Sequence, residues 1–217
     1  MIPVKICGIT RIKDARAAIK NGASALGFIF YEPSPRYMDP DNAKKIVDAL
    51  RNEQISKVGV FVNESAENVN RIADDVGLDL VQLHGNETPE YCESIELPVI
   101  KSFRVRDDFN AKEVEGYDVD VFLFDAYVKG TPGGTGKTFN WKLLKNLKFD
   151  RPVILAGGLN PENITNAVWA VGPDAVDVSS GVEREPGIKD HKKLSELFSA
   201  LMDTTEKLNP FATAGVK

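Results

Sequence analysis

The chain has 217 residues, 42% hydrophobic and 27% charged, with a formal net charge of −5; this is ordinary for a folded domain and excludes a chain drawn as a whole to nucleic acid or anionic lipid. No apolar run reaches the roughly 18 residues of a membrane span, and the opening run IPVKICGI, broken by Pro3 and Lys5, lacks a secretory core. Two cysteines, Cys7 and Cys92, without a CxxC pair, and two histidines, His84 and His191, supply neither a disulfide framework nor a structural zinc site and imply a reducing, cytoplasmic setting.

Strand-like and helix-like stretches alternate along the whole chain. VKIC (4–7) precedes a helical stretch at 11–21, ALGFIF (25–30) precedes 40–51, KVGVFV (57–62) precedes 65–76, and LVQLH (80–84) precedes 88–95. VIKSF (99–103) is then followed by 107–115, DVFLFD (120–125) by 141–146, PVILAGG (152–158) by 161–170, and AVDVS (175–179) by 190–207. Thr10, Asp39-Pro40 and Asn160-Pro161 stand where helix N-caps are expected. Three segments, NGASALGF, VGLDLVQL and VGPDAVDV, repeat one turn in which a glycine ends a helix and the next strand follows.

Strict alternation implies a parallel sheet crossed over by helices. A doubly wound sheet usually carries a glycine-rich turn after its first strand, and CGITRI does not fit GxGxxG. Eight βα units instead predict a (β/α)8 barrel over residues 1–208 as one domain, with 209–217 a poorly ordered tail.

In such a barrel, chemistry gathers where the strands end. Alternation along the first strand turns Lys5 and Cys7 inward and Val4 and Ile6 outward. A buried cysteine is commonly an inert small hydrophobe, but this one stands at a strand exit above an inward lysine. In VFLFD, Phe122 and Phe124 face the helices and Asp125 faces the barrel mouth, where it can act as an acid or simply fix a loop. The stretch TPGGTGKT (131–138) nearly matches a P-loop, but Thr131 stands where glycine is required; a glycine-rich lid fits better. Gly157 and Gly158 in AGGLNPEN, with Ser180 and Gly181 in DVSSGVE, are candidates for phosphate binding after strands seven and eight. Arg36, behind Pro33 and Pro35, can fork onto a carboxylate. His84 is open to a structural or a functional role.

KICGIT, SPRY, VQLHG, GGTGKTFNW, LAGGLNPEN and VDVSSGVEREPGIKD follow one another as in phosphoribosylanthranilate isomerases, and the chain resembles that family over nearly all of residues 1–207. The resemblance implies a (β/α)8 barrel and a cofactor-free, metal-free Amadori rearrangement of a phosphosugar-anthranilate in tryptophan biosynthesis, by a monomer or homodimer without nucleic-acid or membrane partners. It implies Cys7 as general base, Asp125 as general acid and Arg36 on the anthranilate carboxylate. It also places Gln82, His84 and Asp177 at the substrate, and Gly157, Gly158, Ser180 and Gly181 on the phosphate. Asn140, in FNW, stands where the family pattern has aspartate. Because a free thiol titrates near 8.5, Lys5 and the phosphate-loop dipoles are expected to tilt Cys7 toward thiolate. A redox-sensing thiol and a phosphate-binding barrel without catalysis are the competing readings.

Overall fold

Eight parallel strands close on themselves in sequence order: β1 (Val4–Cys7), β2 (Ala25–Ile29), β3 (Ser56–Phe61), β4 (Leu80–Leu83), β5 (Val99–Val105), β6 (Val121–Ala126), β7 (Val153–Leu155) and β8 (Ala175–Val178). The structure, a computed structural model, describes residues 1–106, 108–126, 141–144, 147 and 149–207. The glycine-rich stretch 127–140, including Asn140, and the tail 209–217 lie outside the described residues. The (β/α)8 barrel expected from the alternation is therefore the observed fold, and its seam joins first strand to last, with Lys5 opposite Asp177.

Side-chain alternation sorts the core into two regions. Val58, Ile100, Leu123 and Ala156 form an inner cluster, with Ala25, Leu80, Val121 and Ile154 packed on it. Phe122 and Phe124, the outward neighbours of Leu123, join the larger cluster between barrel and helices. This is the phase read from VFLFD, and it sends Asp125 inward at the strand exit.

The helices α1 (Ile12–Asn21), α2 (Pro40–Ala49), α3 (Ala66–Val76), α4 (Pro89–Cys92), α5 (Ile164–Val171) and α6 (His191–Lys207) cover the barrel. Asp39 caps α2 by accepting from the Asp41 and Asn42 amides, with Pro40 at the first position. The repeated helix-ending glycines are left-handed, with φ of 104° at Gly22, 78° at Gly77 and 66° at Gly172. Two expected caps differ. Thr10 instead donates to the Gly187 carbonyl, and Asn160 builds a turn through the Glu162 and Asn163 amides, so that α5 begins only at Ile164.

Among the described residues, the fifth crossover carries a 3-10 turn, Ala111–Val114, where a helix is expected, and the sixth carries a 3-10 turn at Trp141–Leu143. The outer wall there is closed by rings instead. Phe124 lies 4.8 Å from Phe149 and 5.5 Å from Phe109, while Phe103 meets Phe122 edge-on at 5.5 Å. Aromatic pairs of this kind add about 0.5–1.5 kcal/mol beyond their burial. After β8 the chain makes another 3-10 turn, Ser180–Val182, then an unforeseen antiparallel hairpin, β9 (Glu183–Glu185) with β10 (Ile188–Lys189). Among the described residues no helix is long and apolar enough to cross a membrane.

Candidate active site

Because all eight barrel strands are parallel, their C-terminal ends share one mouth, and the candidate residues gather there. Cys7 ends β1 and is buried. Its neighbour on β2 is glycine for a packing reason. A Cβ at Gly27 would lie 2.8 Å from the Cys7 sulfur and 3.1 Å from Lys5 Nζ, so glycine leaves the room that thiol and ammonium occupy. The turn after Cys7 uses Gly8 at φ 73°, where a side chain would collide with Arg36 Cδ at 2.8 Å.

Lys5 Nζ bonds Asp177 Oδ1 at 2.9 Å, across the barrel seam. Burial works against the Lys5 charge, but Asp177 and Cys7 together outweigh it and hold the ammonium above its ordinary range. For Cys7 burial dominates: it pushes the thiol up, and the charges of Lys5 and Lys189 reduce the rise without reversing it. The expected tilt toward thiolate is therefore corrected for the ligand-free site. Lys5 pulls in the foreseen direction, yet desolvation is larger, and Asp177 adds to the rise.

Asp125 accepts from the Ala126 amide through Oδ1 at 2.7 Å, and its Oδ2 lies 3.3 Å from His84 Nε2. That spacing is within ion-pair reach but off hydrogen-bond alignment, so His84 Nε2 has no hydrogen-bond partner among the described residues. The other ring nitrogen, Nδ1, is 2.9 Å from Gln82 Nε2, which also donates to Ser102 Oγ at 3.2 Å. An amide donor on Nδ1 puts the ring proton on Nε2, facing Asp125. Gln82, His84 and Asp125 thus form one chain across β4 and β6.

Gly157 and Gly158 are both left-handed, with φ of 88° and 64°. Their amides have no hydrogen-bond partner among the described residues, which leaves donors for an anion. A Cβ at Gly157 would come 3.0 Å from Asp125 Oδ1, and one at Gly181 would overlap the Leu159 carbonyl. The loops after β7 and β8 therefore pack backbone on backbone beside Asp125, with Ser180 opening the second. Arg36 reaches the same mouth from the loop after β2. Its Nε lies 3.0 Å from both oxygens of Glu183, and its Nη2 lies 2.7 Å from Oε2.

The buried polar atoms without partners cluster here. Gln82 Oε1, His84 Nε2, Arg104 Nε and Ser179 Oγ are four of the five such atoms among the described residues, and all lie at strand exits. Native interiors leave few groups unpaired, so this concentration singles out the mouth as the candidate site. The model of the N-(5'phosphoribosyl)anthranilate (PRA) isomerase family matches residues 4–200. The chain belongs to this isomerase family. An N-(5'-phosphoribosyl)anthranilate isomerase of Geobacter metallireducens is 50% identical over 198 residues, covering 91% of this chain and 98% of the relative. The solved phosphoribosyl anthranilate isomerase of Thermotoga maritima is 40% identical with a TM-score of 0.87, covering 94% of this chain and 100% of that one. Another phosphoribosyl anthranilate isomerase, solved with reduced 1-(o-carboxyphenylamino)-1-deoxyribulose 5-phosphate, is 39% identical with a TM-score of 0.83, covering 94% and 100%.

In this isomerase fold the residues named from sequence come together at one mouth, while others went unread. Glu183 and Lys189, buried on the hairpin, join the site from the VEREPGIKD run, where alternating charges look like a solvated turn. Ser179 and Ser102 gave no signal, since a serine at a strand end is common turn chemistry. Lys101 is the fourth buried lysine or arginine with an anionic partner. It bonds Glu87 at 2.7 Å and the Gly85 carbonyl at 3.1 Å, securing the loop that carries His84.

Proposed function

We propose that the chain catalyses the cofactor-free Amadori rearrangement of N-(5-phosphoribosyl)anthranilate to 1-(2-carboxyphenylamino)-1-deoxyribulose 5-phosphate, in tryptophan biosynthesis. The observation that carries this reading is the adjacency of Asp125, the Gly157 turn and unpartnered His84 Nε2 at one mouth, with the Cys7 thiol at the exit of β1.

Phosphate binds the amides of Gly157 and Gly158 and the Ser180–Gly181 turn. Asp125 gives its proton to the furanose ring oxygen, the C1–O bond breaks, and a protonated imine forms on the substrate's own nitrogen. That imine is the electron sink, which makes the C2 proton acidic without any added cofactor. Cys7 takes the C2 proton, electrons flow to nitrogen, and the enolamine tautomerises to the ketone. The raised Cys7 thiol fits this order, because the imine cation forms beside Cys7 at the step that requires thiolate, and an opposite charge favours the ionised form. His84 turns its Nε2–H toward Asp125 and steadies the carboxylate that remains once the proton has been given. Asp177 binds the sugar hydroxyls while holding Lys5, Gln82 orients His84, and Arg36 offers the Nη1 end of its fork to the anthranilate carboxylate.

The test is decay of anthranilate-type fluorescence when purified protein meets phosphoribosylanthranilate. Turnover is expected in the wild type, with a loss of about 10²–10⁴-fold in Cys7→Ala and in Asp125→Asn, the range of a lost acid or base. Near-normal turnover in either variant removes that residue's assignment. No turnover in the wild type removes the reading.

A further inference from the structure

The hairpin β9–β10 was not foreseen, and its two buried charges touch three separate parts of the site. Glu183 takes the fork of Arg36 from the β2 loop through Nε and Nη2. Lys189 Nζ bonds Glu183 Oε1 at 2.8 Å, the Cys7 carbonyl at 2.5 Å and the Ser179 carbonyl at 3.2 Å. Three acceptors match the three N–H bonds of an ammonium. Burial alone would raise Glu183, but the Arg36 hydrogen bonds and the Lys189 charge hold it in the ionised form.

We propose that Glu183 is a specificity-determining positioning residue: it fixes the Arg36 guanidinium so that its open edge reads the substrate carboxylate, while Lys189 keeps that cluster net positive. This rests on the assignment of Arg36 to the carboxylate. Burial pulls Lys189 below its ordinary range, but Glu183 and the three acceptors on Nζ favour the ammonium, so two cations share one anion and the cluster keeps one positive charge toward an anionic ligand. An Arg36–Glu183 pair alone would be neutral and would attract a carboxylate weakly. A buried ion pair adds little stability over a well-packed apolar one, so its distinctive contribution is directional. Arginine carries a planar fork on a flexible stem, and the grip at Nε and Nη2 leaves Nη1 as the presented donor.

The experiment compares two inert ligands, reduced 1-(o-carboxyphenylamino)-1-deoxyribulose 5-phosphate and the same molecule without its carboxylate, by titration calorimetry. Glu183→Gln, which keeps shape and an acceptor, is expected to weaken the carboxylate ligand at least ten-fold and the other less than two-fold. Arg36→Lys, which keeps charge without the fork, is expected to show the same selective loss. The double variant is expected to lose little more than either single variant, because both act on one contact. Turnover provides a separate readout: KM rises more than kcat falls.

An equal loss for both ligands in Glu183→Gln, or no loss, overturns the proposal, as do additive effects in the double variant. If Glu183→Gln does not fold, Glu183→Asp, which keeps the charge but shortens its reach to Arg36, is measured against the two ligands and read by the same ratio. The underlying assignment is tested apart by Arg36→Met. Retained discrimination there refutes the carboxylate role of Arg36 itself, whereas discrimination lost in Arg36→Met but kept in Glu183→Gln refutes only the positioning role.

Discussion

Replacing Gly27 by alanine tests the seat of the Cys7 thiol with a single carbon atom. The added Cβ would lie 2.8 Å from the sulfur, against an ordinary contact of 3.4–4 Å, so the sulfur must move by roughly 0.6–1.2 Å. Cys7 Cα, at 3.1 Å, and Lys5 Nζ, also at 3.1 Å, close off the adjacent escape routes. Overpacking of this kind costs about 1–3 kcal/mol of stability. Displacement of a reacting group by about 1 Å can cost 10²-fold in rate, so kcat is expected to fall by about 10²-fold, with a smaller rise in KM transmitted through Lys5 to Asp177. The assay is fluorescence decay for turnover, paired with urea unfolding. Gly59→Ala is the control: its Cβ would overlap Leu78 Cδ1 and come 2.8 Å from Phe61, on the outer side of β3. It should lose stability with kcat within about three-fold of wild type. If Gly27→Ala is destabilised to the same degree and keeps wild-type kcat, the proton is not taken from where the sulfur now lies, and the reasoning about Cys7 fails.

Cys7 should titrate above an ordinary thiol in the empty enzyme, seen as thiolate absorbance minus that of Cys7→Ala; Lys5→Met should raise the midpoint further, since Lys5 lowers it, and an unchanged midpoint would deny Lys5 that influence. The subtraction also removes Cys92, which burial pushes up to about 11. Stability should decline in acid. Burial opposes the charges on Asp14, Glu87 and Glu183, but His191 with Arg11, Lys101, and Arg36 with Lys189 respectively outweigh it and hold all three carboxyls low. Their contribution is complete above the unfolded values of roughly 3.9 for Asp and 4.3 for Glu, and is lost as pH falls through the lower folded values. Urea midpoints from pH 6 down to 3 should fall, less steeply in Glu87→Gln, and a pH-independent midpoint would contradict the bonding described.

The barrel was legible because two periodicities carry it. Period-two alternation in VKIC and VFLFD sets which residues face inward, and the glycines at 22, 77 and 172 mark helix ends that only a left-handed residue suits. The fifth helix was misread because what replaces it is tertiary. Phe103, Phe109, Phe124 and Phe149 close the wall from four different segments, and no local pattern announces such a cluster. In the site, Cys7 and Asp125 could be placed from strand phase alone. The ionisation of the thiol could not, because desolvation is set by everything packed around it. Glu183 escaped for a related reason: its significance lies in Arg36, 147 positions away, and charge next to charge in VEREP reads locally as surface.

The seam between β1 and β8 also orders the molecule in time. The Cys7 carbonyl is held by Lys189, 182 positions later. At about 5–20 residues per second of synthesis, the thiol emerges about ten to forty seconds before the lysine that secures its strand end. Throughout that interval the nascent chain carries an ordinary, solvated cysteine, open to oxidants. Completion of the last strand and hairpin is therefore what turns a vulnerable thiol into a shielded one, and chains stopped before residue 175 should retain the reactivity of free cysteine toward thiol reagents.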